Sequence, residues 1–237
     1  MYVSPISEEV ANAVLPRRTE KSKGLFAWGF PRLQAHDLAI AWSEFLFLFI
    51  AMPLVAISLG APLPAYPAIA AAILSAGTLL SSTRAFHWRD LLPIDFASEW
   101  KVLLSGSIAA FAIAGATTLL TTPDRFLSPT AEAMQLALLY PAMLAVPFEL
   151  IYRALFFRRY GHLFQSAFWA VTISAVSTGL IYALLFGGMP GLAIGAFIGL
   201  IMSAIYLRTG SFLLTCLLHS AAGVALLLVG PGQSLMI

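Results

Sequence analysis

The chain has 237 residues, 60% of them hydrophobic and 10% charged, with a formal net charge of +2. A soluble domain carries about 45–50% apolar and about 25% charged residues, so composition excludes that class and points to a polytopic membrane protein. The small net charge and the lack of a long basic run argue against a nucleic-acid partner, and a single cysteine, Cys216, excludes a disulfide framework and a Cys-rich metal site.

Residues 1–37 are polar and carry charges of both signs. They lack the short apolar core and cleavage site of a signal peptide and read as a cytoplasmic tail. Within them, "GLFAWGFPRL" sets aromatics beside basic residues, which suits either a piece lying on the membrane surface or a plain solvated loop. Runs of about 20 apolar residues, enough to cross a bilayer, follow at 38–60, 65–82, 102–121, 133–157, 166–186, 190–207 and 211–230. The stretch "FHWRDLLPIDFASEW" at 86–100 reads as an interfacial or solvated linker, and residues 231–237 as a short C-terminal tail. The expected fold is an all-α bundle of seven transmembrane helices spanning residues 38–230. Between the last two runs, "RTGS" offers a compact stop and start: Gly210 is suited to a left-handed cap and Ser211 to an N-cap.

Charge orients the bundle. If the seven runs alternate, twelve of the thirteen Lys and Arg residues fall on one face and only Arg125 on the other. By the positive-inside rule the N-terminus is cytoplasmic and the C-terminus outside.

Ionisable residues within the runs are Glu44, Glu149, Arg153 and His219. A charge at a helix centre costs roughly 2.5–3.5 kcal/mol on insertion scales, so such residues face a bundle interior or a wet cavity and are functional candidates. In "VPFELIYRALFFRR", Glu149 precedes Arg153 by four, the favourable order for a helical ion pair. Mutual neutralisation that eases insertion explains the pair as well as function does. Pro147 removes one backbone donor and predicts a kink just before Glu149, and Pro141 a further bend. Glu44 has no local basic partner; it pairs with Arg153 or His219 across helices, or reaches the cytoplasmic surface. His219 alone reads as a hydrogen-bonded packing residue as readily as a base. Gly191, Gly195, Gly199 and Ser203 recur every four residues, a stripe of small residues that admits a close helix neighbour, in the same chain rather than another subunit. No close metal-ligand spacing is present, and neither a metal nor a cofactor is expected.

Three segments carry a family resemblance: "FELIYRALFF", "STGLIYALLFGG" and "IYLRTGSFLLTCLLHSAAG". Across about residues 100–230 the chain resembles the CAAX prenyl protease and bacteriocin-processing (CPBP, Abi) family of glutamate-type intramembrane proteases. The family's first motif reads Glu-Glu-x-x-x-Arg; Glu149 and Arg153 match, and Phe148 replaces the first Glu. In the second, Phe-x-x-x-His, Tyr182 holds the aromatic position and Phe186 replaces the histidine. In the third, His-x-x-x-Asn or Asp, His219 matches and Gly223 replaces the amide or acid.

The resemblance implies a site in which a glutamate and a histidine activate water while the other histidine and the asparagine stabilise the oxyanion. Phe148, Phe186 and Gly223 supply none of these groups, and loss of a single oxyanion donor already lowers a rate by roughly 10²–10³. The resemblance therefore implies a catalytically degenerate membrane protein, a pseudoenzyme of the bacterial inner (plasma) membrane. It would bind a membrane-protein or lipid-modified peptide partner through the inherited cavity, with Glu149, Arg153 and His219 as motif remnants and Glu44, Tyr182, Phe148 and Phe186 as binding residues. Membrane lipid surrounds it. The alternative is an active endopeptidase using Glu149 and His219, for which Glu149 needs a local change of helix, since adjacent residues point about 100° apart. A small-solute transporter fits less well, because no matched pair of broken segments occurs in two halves.

Overall fold

The structure is a computed structural model that describes residues 35–59, 65–83, 86–164, 166–186 and 188–229. Among these residues there are seven helical runs and no strand. Of the tail expected over residues 1–37, residues 1–34, with the surface-lying piece, lie outside the described residues, as does the C-terminal tail at 231–237; residues 35–37 open the first helix.

Helix α1 runs Ala35–Leu46, loosens to a π-helix over Phe47–Ala51 and resumes over Met52–Leu59. Helix α2 is Ala65–Ser81. A 3-10 turn, Trp88–Leu91, leads to α3 at Phe96–Thr121, which begins earlier than the apolar run alone predicts because Phe96–Trp100, read from sequence as linker, continues the helix. After a second 3-10 turn, Pro123–Arg125, α4 starts at Ala131. Thr130 caps it, accepting the Ala133 N–H at 3.2 Å. This helix is composite: α over Ala131–Tyr140, π over Pro141–Ala145, α over Val146–Glu149, π over Leu150–Tyr160 and 3-10 over Gly161–Leu163. The sequence expected disturbance at the two prolines, and π turns are how the helix absorbs it. Neither proline has an N–H to donate, and an i→i+5 ladder accommodates an extra residue without breaking the run.

Helices α5, α6 and α7 are Ala167–Phe186, Gly188–Thr209 and Phe212–Val229. Gly210 takes φ +68° after α6, and Ser211 Oγ accepts the Leu214 N–H at 3.2 Å. The "RTGS" segment is thus the stop and start that its residues predict. Six of the seven runs are long and apolar enough to cross a membrane: Asp37–Ala56, Phe96–Leu120, Ala131–Leu163, Ala167–Leu184, Gly188–Thr209 and Phe212–Val229. The second run is shorter, with an apolar stretch at Ala70–Ser81.

The chain forms two compact units. One holds α1, α2, the second half of α4 from Ile151, and α5 and α6. Its core is aromatic. Phe45, Phe49, Tyr152, Phe156, Tyr160 and Phe164 meet with ring centroids 5.4–5.9 Å apart, mostly edge to face. In the same unit the small-residue stripe of α6 lies on α5. A Cβ at Gly199 would sit 2.8 Å from Thr178 Cβ and 2.9 Å from Ala175 Cα, and one at Gly195 would collide with Tyr182. The stripe's neighbour is therefore within the chain, and glycine is what allows the two backbones to approach.

The second unit holds α3, the first half of α4 through Leu150, and α7. Helix α7 packs on both others. Gly106 of α3 makes room for Leu218, whose Cδ2 would lie 2.6 Å from an added Cβ. Ala114, Ala225 and Val229 form a small core, with Ala110 and Phe126 against it.

Candidate functional site

Within the second unit, Glu149 and His219 meet. The His219 Nδ1–H donates to Oε1 of Glu149 at 2.9 Å, and the side chains are 5% and 1% exposed. Glu149 is the last residue of the short α-helical turn Val146–Glu149, with π-helix on both sides. The carboxylate thus sits between two stretches of altered helix geometry. A carboxylate on one ring nitrogen fixes the tautomer and orientation of the imidazole, as in histidine-based catalytic and metal sites.

The surroundings of this pair are aromatic. The Phe148 ring meets the His219 ring edge-on, with centroids 5.5 Å apart. The Tyr140 ring meets it from another direction at 6.0 Å. Gly223 lies one helical turn beyond His219 and is buried. A Cβ built on it would overlap Tyr140 Cε1 and Cζ, so the tyrosine ring occupies the space that any side chain at 223 would enter. Of the three replaced motif positions, two are thus seen beside His219: Phe148 as a ring and Gly223 as space filled by Tyr140. Phe186 is the last residue of α5, and its side chain lies outside the described residues.

The other expected site residues belong to the first unit. Arg153 is 1% exposed. Its Nη1 donates to the Tyr152 carbonyl at 2.8 Å, to Ser174 Oγ at 3.2 Å and to Thr178 Oγ1 at 3.4 Å. Ser203, the last member of the stripe, donates to Ser174 Oγ at 3.0 Å, and Ser174 donates to the Tyr152 carbonyl at 3.1 Å. A carbonyl dipole and two hydroxyls, one of them held in turn by Ser203, thus accept from a buried guanidinium, which lowers the cost of burying it. Glu149 and Arg153, expected as an i,i+4 pair, fall on either side of the boundary between the units.

Glu44 is bound by Arg159. Nε and Nη2 donate to Oε2 at 2.9 and 2.8 Å, Nη2 reaches Oε1 at 3.0 Å, and the Tyr160 hydroxyl adds a contact at 3.2 Å. The Arg159 Nη1 also donates to the Leu79 carbonyl, Ser82 Oγ and Thr83 Oγ1, tying α1, α2 and α4 together. Neither partner suggested for Glu44 by sequence is the one it takes here. Arg159 was legible only as a flanking basic residue, since the glutamate it binds lies 115 positions away. Tyr182 is buried with its backbone and Cβ against Gly191 and Gly195, so it is engaged in the α5–α6 contact. Tyr140 gave no signal in the sequence beyond standing just before Pro141.

Residues 130–225 match the family model described as "Type II CAAX prenyl endopeptidase Rce1-like". The match contains every motif position named above, and it is narrower than the span of the three-segment resemblance. Neither a curated protein nor a solved structure matches the chain. With six helices able to cross a membrane and this match, the chain is an integral membrane protein whose residues 130–225 are CAAX-protease-like.

Proposed function

We propose that the chain is a catalytically silent relative of the CAAX-type intramembrane proteases. It holds a membrane-protein or lipid-modified peptide partner and helps to assemble, protect or regulate it. The observation that carries this reading is the packing around His219: Phe148 and Tyr140 rings lie against the imidazole, and Tyr140 fills the space at Gly223. Hydrolysis needs a water and a scissile carbonyl beside the base, with donors about 2.7–3.1 Å from the developing oxyanion. Aromatic rings in that place crowd the space that both would need, and the one donor they carry is the Tyr140 hydroxyl. In this reading Glu149 and His219 are motif remnants, kept because each satisfies the other in a setting where an unpaired polar group is costly. The basic residues support a cytoplasmic N-terminus and an outer C-terminus, and the family resemblance suggests the inner membrane of a bacterium.

A second reading has its own support. The 2.9 Å hydrogen bond between Glu149 and His219 is the arrangement an active endopeptidase would use to poise a histidine. Crosslinked purification from native membranes separates the two, comparing wild type with Glu149→Gln, which keeps shape and one acceptor. The expected result is one partner recovered in near-equal amount with both. A protein trapped only by the Gln variant is a substrate that wild type cleaves, and sinks the first reading.

A further inference from the structure

We infer that Tyr140 and Gly223 form a coupled gate over His219: the phenol ring shields the imidazole because position 223 has no side chain. The inference rests on the closed-site reading above and adds a residue that no motif contains. Three observations support it. An added Cβ at 223 overlaps the far edge of the Tyr140 ring and not its backbone, so the ring and a side chain there are mutually exclusive. The same ring lies 6.0 Å from His219, at an angle of 63°. Tyr140 is also the last α-helical residue before the π turn Pro141–Ala145, so its direction is set where the helix changes its ladder. The ring is half-buried. It is a positioning residue that acts through its cover of His219.

The test uses the full chain in detergent or nanodiscs and reads the rate at which diethyl pyrocarbonate modifies His219. The His219 peptide is followed by mass spectrometry, because His36, His87 and His162 also react. Tyr140→Ala and Gly223→Ala should each raise that rate severalfold and by similar factors, and the double variant should match either single one. Tyr140→Phe, which keeps the ring, should behave as wild type. Independent effects that multiply in the double variant overturn the inference, as does a Gly223→Ala protein whose His219 is still shielded. Should Gly223→Ala fail to fold, Tyr140→Ala/Gly223→Ala must fold and match Tyr140→Ala; if it does not, the inference is wrong. The two readings fail separately. A protein that cleaves a peptide while 140 and 223 stay coupled ends the silent-protein reading alone. Uncoupled positions in a protein without cleavage activity end the gate alone.

Discussion

Glu149 and His219 are separated by 70 positions, and each is the other's hydrogen-bond partner in a buried setting. Replacing Glu149 by Ala removes the acceptor and leaves the Nδ1–H without it, which should destabilise the protein by about 1–3 kcal/mol, the usual cost of stranding a buried donor. Glu149→Gln retains an acceptor and should cost less. Thermal unfolding of the two variants in one detergent checks the order, and equal stability for Ala and wild type would mean that the hydrogen bond contributes nothing. Sequence named both partners from the motif resemblance but not the surroundings that decide what they do. Phe148 could be seen to lack a carboxylate; that its ring would lie edge-on to His219 could not. Gly223 could be seen to lack an amide; that Tyr140 would fill the vacancy depends on a residue 83 positions upstream, with no motif to mark it.

Helix α6 was legible as an element with a purpose. Four small residues at intervals of four read as a contact stripe, and α5 is the neighbour that uses it. Gly199→Ala should destabilise by about 1–3 kcal/mol, because the new methyl meets Thr178 Cβ and the Ala175 backbone, which cannot move aside as a side-chain tip can. Gly161→Ala is the control. Nothing lies within 4 Å of its added Cβ, and its stability should stay within about 0.5 kcal/mol of wild type. Denaturation midpoints of the two variants decide, and equal losses would remove the packing argument. Helix α4 was legible only in part. Prolines at 141 and 147 announced a departure from α geometry, but not its form as two π stretches around a four-residue α turn. Helix starts were the least legible, as at Phe96, where charged and aromatic residues continue a helix that hydropathy alone begins later.

Across the whole molecule, the count of seven runs carries the topology. Helix α2 has 17 residues, about 25 Å at 1.5 Å each, at the lower limit for crossing hydrocarbon. If it crosses, the turn Trp88–Leu91 is cytoplasmic and the turn Pro123–Arg125 is outside, as the basic residues require. Reporter fusions at the two turns should give opposite answers in that sense. A reporter at Trp88–Leu91 that reads as external would mean that α2 does not cross. The sequence by itself determined the membrane class, the seven helical runs, their polar turns and the family resemblance, because these follow from local hydropathy, turn chemistry and short spacings. Only the tertiary structure decided which polar groups meet: Glu44 with Arg159, Glu149 with His219, Arg153 with the hydroxyls of α5, and Tyr140 with the empty side of Gly223. Such meetings depend on the rotation and depth of each helix against residues far away in the chain, and a change of a few ångströms in either gives each group a different partner.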